Sequence, residues 1–157
     1  MRRRFSSRSA GLQYGWRSGL EEAIGDQLRK LKVPFEYEKL VIPFVQPVKS
    51  RRYTPDYILL RNGIIVETKG RFVTADRQKH LLVKAQHPAL DIRLLFSNSR
   101  QRISKQSATT YAAWCQVKGF QYADKLIPLS WLQEAPNQAS LAAINLLRDE
   151  ASAQCKV

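Results

Sequence analysis

Two apolar runs, Tyr57–Leu60 and Ile64–Val66, flank the dipeptide Asn62-Gly63, with Asp56 just before the first run and Glu67 and Lys69 just after the second. Asn-Gly tolerates the positive φ values that a two-residue type I′ hairpin turn needs. With those two residues as the loop, Arg61 pairs with Ile64, Leu60 with Ile65, Ile58 with Glu67 and Asp56 with Lys69. Strand side chains alternate with period two, so Asp56, Glu67 and Lys69 share one face. Asp56 and Lys69 are then cross-strand neighbours, with Glu67 on the diagonal, close enough to share an ion. Both faces of the hairpin are otherwise apolar, so its strands are expected to be buried. Two carboxylates and an ammonium are costly to bury together unless they satisfy one another or hold a metal. The hairpin is therefore read as a site.

The charge balance indicates what such a site acts on. The chain has 157 residues, one domain's worth, and 44% of them are apolar, as in ordinary globular proteins. Lys and Arg number 26 against 13 Asp and Glu, a net charge of +13, with a pI near 10.1. That excess points to a polyanionic partner, nucleic acid first. An anionic membrane is the second candidate, but no basic amphipathic helix with bulky aromatic anchors supports it. No long apolar span or signal-peptide core occurs, so a soluble, cytoplasmic protein is expected. Cys115 and Cys155 lack metal-ligand spacing and are read as reduced thiols.

Along the chain, residues 1–16 carry Arg2, Arg3, Arg4 and Arg8 and no acid. They read as a tail free in solution, and as an arm that orders on a DNA backbone. Ser18 to Leu31 has helical spacing at Leu20, Ile24, Leu28 and Leu31, with Ser18 and Glu21 placed as a capping box. Phe35 to Val45 reads as strand, with Glu36 and Glu38 on one face as an acidic edge that resists aggregation. Pro43 and Pro47 bracket a stiff segment unsuited to a sheet interior. The basic residues Lys49, Arg51 and Arg52 precede the site, and Arg100, Arg102 and Lys105 lie in a Ser/Asn-rich loop. Both groups are candidate phosphate contacts.

Asp76 to His87 is expected as a helix with Leu81, Leu82 and Ala85 inward and Arg77, Lys79 and Lys84 outward. His80 and His87 share a face of it, but no further ligands join them as a metal set; His80 is considered as a proton donor. Leu90 to Phe96 reads as a strand parallel to Ile64–Lys69, because a helix connects them. Thr109 to Val117 reads as a helix closed by Gly119, with Tyr111 and Trp114 in the core. Ser130–Gln133 is a short helical turn, and residues 135–157 form a tail with a weak amphipathic helix.

Pro55-Asp56 followed by Glu67-Thr68-Lys69 resembles the Pro-Asp…Asp/Glu-x-Lys signature of a nuclease superfamily. Around it occur, in order, Arg17-Ser18-Gly19-Leu20-Glu21, Phe35-Glu36-Tyr37-Glu38, Tyr53-Thr54-Pro55-Asp56, Val66-Glu67-Thr68-Lys69-Gly70, Asp76-Arg77 with Lys79-His80-Leu81-Leu82, and Ala123-Asp124-Lys125-Leu126-Ile127-Pro128. Together these strings resemble phage endonuclease I, the four-way-junction resolving family of podophages of the T-seven type. They span about Arg17 to Glu134 and leave both ends unmatched.

The resemblance implies an α/β, restriction-endonuclease-like fold, a mixed central sheet flanked by helices, in a domain-swapped homodimer. Residues 17–134 would be the nuclease domain, with 17–45 exchanged across a bridge at 46–52. It implies a metal-dependent endodeoxyribonuclease that resolves Holliday junctions and cuts branched DNA, leaving a 5′-phosphate and a 3′-hydroxyl. Its catalytic set maps onto Glu21, Glu36, Asp56, Glu67 and Lys69. Asp56, Glu67, the Thr68 carbonyl and Glu21, here from the partner chain, would hold one or two Mg²⁺ ions, with Mn²⁺ as a substitute. Arg17 joins the DNA contacts. For Glu21, capping and metal binding compete for one carboxylate; Lys69 either orients or deprotonates water, or neutralises a phosphate oxygen. Two other classes stay open: a non-catalytic basic DNA-binding or architectural protein, and a sequence-specific duplex nuclease of the same superfamily.

Overall fold

The computed structural model describes residues 18–46 and 49–154. The expected arm with Arg2, Arg3, Arg4 and Arg8, together with Arg17, Pro47 and Cys155, lies outside these residues. The chain runs through α1 (Gly19–Lys30), β1 (Phe35–Tyr37), β2 (Ile42–Gln46), β3 (Lys49–Tyr53), β4 (Tyr57–Leu59) and β5 (Ile64–Lys69). Then come α2 (Thr74–Gln86), β6 (Asp91–Phe96), α3 (Tyr111–Lys118), β7 (Tyr122–Asp124), α4 (Leu129–Gln133) and α5 (Gln138–Gln154).

The β4–β5 hairpin forms with a longer loop than Asn-Gly suggests. Leu59 pairs with Ile64, Ile58 with Ile65 and Tyr57 with Val66, so residues 60–63 make a four-residue turn. The Gly63 N–H donates to the Leu59 carbonyl at 2.8 Å and closes it. The physical reason lies in Asn62, which is buried: its Nδ2 donates to the Trp131 carbonyl at 2.7 Å, leaving it no freedom to sit at an exposed turn tip. Gly63 has φ +75, and a Cβ there would stand 2.9 Å from Leu141 Cγ, so glycine also admits α5 against the turn. The shift is by two residues in total, so the same face still carries the charged groups.

Five strands form one sheet in the order β1-β4-β5-β6-β7, antiparallel on the β1 side and parallel from β5 onward. The α2 crossover makes β5 and β6 parallel, as expected. Side chains alternate along β5: Ile64 and Val66 join Ile24, Leu28, Trp131 and Leu132 on one face. Ile65 joins Val83, Trp114, Ile144 and Leu147 on the other. This is a mixed α/β sheet with helices on both faces.

Three expectations need correction. The single strand expected over 35–45 is two: Glu38 turns left-handed at φ +49, and β2 pairs instead with β3 in a separate two-stranded sheet. Glu36 and Glu38 therefore do not share a strand face. On α2, Leu81 and Leu82 pack against the core as expected, but the buried residues are Arg77, His80 and Val83, and Ala85 is exposed. Arg77 turns in because its guanidinium donates to the Phe72 carbonyl and to Thr74 Oγ1, which satisfies the charge locally. The segment from 135 forms the amphipathic helix expected of it, as α5, but it is part of the folded domain and not a tail: Ser140 Oγ donates to the Gly63 carbonyl at 2.7 Å, and Ile144 and Leu147 enter the core. Among the described residues, no helix is long and apolar enough to cross a membrane.

Candidate active site

Strand β5 ends in Glu67-Thr68-Lys69, at the carboxyl edge of the parallel half of the sheet, where crevices open in α/β folds. Asp56 immediately precedes β4, and the observed register extends to set it opposite Glu67 rather than Lys69.

Glu67 is 2% exposed and held from several sides. The Tyr53 hydroxyl donates to Oε2 at 2.8 Å and Lys69 Nζ to Oε1 at 2.7 Å. Lys79 Nζ stands 3.5 Å and His80 Nε2 3.6 Å from the same Oε1. Burial alone would raise the Glu67 carboxyl, but the neighbouring cations and the Lys69 hydrogen bond overcome it and hold the group ionised, below the usual carboxylate range. A protonated His80 would pull the same way. Burial, however, drives that ring well below its ordinary value and keeps it neutral, so the two lysines carry the effect.

Asp56 is the opposite case. The Thr68 N–H and Oγ1 both donate to its Oδ2 at 2.7 Å. Burial, and then the charge on Glu67, outweigh these bonds and push Asp56 up to about 7. Two adjacent carboxylates are thus driven apart, one firmly ionised and one poised to exchange a proton near neutrality. For Lys69, burial would lower the ammonium, but Glu67, Asp76 at 3.8 Å and Asp56 raise it, so it stays charged.

The other expected acids lie elsewhere in the chain's own contacts. The Ser18 hydroxyl accepts the Glu21 N–H at 3.2 Å and lies 3.0 Å from Glu21 Oε1 as its donor, while the Tyr37 hydroxyl donates to Oε2. Glu36 accepts from Arg148 of α5. Among the described residues, no three His, Cys, Asp or Glu side chains gather closely enough to hold a metal. The side-chain donors at the β5 edge are therefore Asp56 and Glu67. They suit a hard divalent ion: both are carboxylates, and Asp56's hydrogen bonds from described residues all fall on Oδ2.

Lys49, Arg51 and Arg52 are exposed on β3 rather than in a loop, and Arg51 and Arg52 line a groove against α2 together with Asp76 and Lys79. Arg100, Arg102 and Lys105 are exposed in the segment after β6, which is anchored where Ser99 N–H and Oγ donate to Asp124 at 2.7 and 2.8 Å.

Tyr53, Lys79 and Asp76 were not singled out from sequence as site residues. Asp76 and Lys79 are separated by three residues, and His80 by four, so all three fall on the α2 face turned to Glu67. That helical spacing was the available signal.

The comparison with known families decides the identity. The model of the family described as "Phage endonuclease I" matches residues 1–151. The chain belongs to the phage endonuclease I family. Endonuclease I of Escherichia phage T7 is 50% identical over 119 residues, 76% of this chain and 79% of that one. Endodeoxyribonuclease 1 of Enterobacteria phage T3 is 50% identical over 119 residues, 76% and 78% of the two chains. The phage endonuclease I model thus reaches past Glu134 into α5, beyond the stretch carried by the sequence strings, in keeping with α5's place in the core.

Proposed function

We propose that this chain is a metal-dependent, structure-selective endodeoxyribonuclease that resolves four-way DNA junctions, yielding 5′-phosphate and 3′-hydroxyl ends. One observation carries the reading: a buried carboxylate pair at the β5 edge, Asp56 driven up and Glu67 held down, with a charged lysine between Glu67 and the α2 acid. The names of the T7 and T3 relatives support the nuclease class.

Asp56 and Glu67, with the Thr68 carbonyl, would hold Mg²⁺, or Mn²⁺ in its place, the remaining positions being left to water and phosphate. When bound, such an ion lowers the pKa of a coordinated water and neutralises charge on the transferring phosphoryl group. The chain's residues do the rest. Thr68 fixes Asp56 through two donors, leaving its other oxygen free of bonds from described residues. Tyr53 orients Glu67. Lys69, charged in this arrangement, supports the phosphate-neutralising and water-orienting roles over that of a general base. Arg51, Arg52 and Lys79, along the groove, are suited to flanking phosphates.

Junction selectivity would come from two sites in a dimer. In this chain β1 and α1 pack on their own sheet, and β2 lies beside β3. A dimer that exchanges this N-terminal segment would make the same pairings between chains and carry Glu21 across to the partner chain.

The test is a labelled four-way junction and its linear duplex arms, each incubated in Mg²⁺ and in EDTA, with wild type and Asp56→Ala. Paired cuts in the junction alone, lost in EDTA and in the variant while junction binding persists, are expected. Equal cutting of the duplex would favour a sequence-reading nuclease. Salt-sensitive binding without cleavage in any divalent ion would leave only an architectural role.

A further inference from the structure

His80 is fully buried, and among the described residues neither ring nitrogen has a hydrogen-bond partner. Orphaned buried polar atoms are rare and costly. The surroundings offer no structural reason for a polar ring. It packs edge-on to Tyr53 at 5.5 Å and lies near Phe72 and Phe120, a slot that an apolar side chain would fill without that cost. What the ring does face is Glu67, with Nε2 3.6 Å from Oε1, just beyond hydrogen-bond range.

That oxygen is at present held by Lys69 at 2.7 Å. Lys69 Nζ also stands 3.8 Å from Asp76 and keeps two further N–H donors, so a phosphate or water entering the groove can draw the ammonium off Glu67. When it turns away, Glu67, at 2% exposure, has no bulk water to replace the lost donor. Lys79 also stands nearby, but it is 27% exposed, opens to the groove and brings a second positive charge against an incoming cation. His80 offers a ring N–H on the protein side, away from the groove.

We propose that His80 is a positioning residue for cleavage: its Nε2–H takes Glu67 Oε1 when Lys69 leaves it for the substrate, and so keeps the carboxylate aimed during the reaction. This rests on the nuclease reading above. Closing a 3.6 Å contact to about 2.9 Å requires less than about 1 Å of movement, within the reach of a carboxylate rotation. The Tyr53 hydroxyl on Oε2 acts as the pivot.

The experiment uses the full chain as wild type, His80→Met and His80→Gln. It measures the thermal midpoint in EDTA, junction Kd in EDTA, Mn²⁺ affinity by calorimetry without DNA, and single-turnover cleavage. For His80→Met, the midpoint, junction Kd and DNA-free Mn²⁺ affinity are expected to hold, because Lys69 stays on Glu67 without substrate, while the cleavage rate falls about 10–100-fold. His80→Gln, which restores an N–H donor, is expected to recover cleavage to within a few-fold. If Met lowers the midpoint, His80→Phe fills the slot and carries the same comparison. Wild-type cleavage in the apolar variant would overturn the proposal, as would a Gln variant no better than Met. A wild-type chain that neither cleaves nor binds Mn²⁺ overturns the nuclease reading and this inference with it.

Discussion

The Tyr53 hydroxyl donates to Glu67 Oε2 at 2.8 Å, across from the Lys69 ammonium on Oε1. Tyr53 ends β3 three residues before Asp56, so one short stretch of chain delivers both an acid and the group that aims its neighbour. Tyr53→Phe removes a buried bond to a charged group. It is expected to cost about 1–3 kcal/mol of stability and to slow cleavage about 10–100-fold. Urea unfolding and single-turnover rates at saturating Mg²⁺ check the two effects separately.

Asp56 sets a pH dependence whose sign can be worked out. Its folded value, about 7, lies above the ordinary 3.8, so between those values the folded chain keeps a proton that the unfolded chain has released. The stability that Asp56 contributes to the metal-free protein should fall as pH rises through that window, by at most about 1.4 kcal/mol per unit, and level off above 7. Glu67 has the opposite sign: its contribution is present above its ordinary value and is lost as pH falls below it, so it adds no slope between pH 5 and 8. Burial holds His80 below its ordinary 6.5 and gives a rising slope below that pH, so thermal melts in EDTA at pH 5, 6, 7 and 8 should show the advantage of wild type over Asp56→Asn shrinking as pH rises.

Arg93 is 2% exposed, bound to Asp91 at 2.9 and 2.7 Å and to Glu134 at 2.8 and 2.6 Å, with its guanidinium 5.0 Å from the Trp131 ring centre. It ties β6 to the end of α4 with a planar fork that lysine cannot reproduce. Arg93→Ala should lose about 3–5 kcal/mol, and Arg93→Lys should recover little of it. Denaturant midpoints of the two variants decide this.

Removing residues 135–157 takes away the Ser140 bond to Gly63, the Asn137 bond to Asn62, the Arg148 pair with Glu36, and the buried Ile144 and Leu147. The two aliphatic side chains alone are worth about 3 kcal/mol or more. The truncated chain is expected to show a much lower thermal midpoint or not to fold, followed by circular dichroism; a solvated tail would leave the melt unchanged.

Arg51 and Arg52 are exposed along the groove that ends at Lys79. Replacing both with Ala should weaken junction binding and make the slope of log affinity against log salt shallower by about 2. The cleavage rate of bound junction should hold, as a gel-shift salt series and single-turnover kinetics would report.

What the sequence by itself determined is local. Helix α1 with its Ser18 cap, the parallel β5–β6 pair around α2, and the adjacency of Asp56, Glu67 and Lys69 all follow from periodicity and short spacing. The family strings were legible too, because the site motif lies within seventeen residues. Tertiary structure decided the rest. Only long-range packing buries Asn62 under Trp131 and lengthens the hairpin loop, and only packing separates β2 from β1 and draws α5 into the core. It also selects which face of α2 turns inward, because Leu81 and Leu82 satisfy an apolar stripe as well as His80 does until Glu67 and the aromatic slot are present. A buried charge chooses its partners from the whole fold, and the energy of desolvation, which sets that choice, is not written in any single segment.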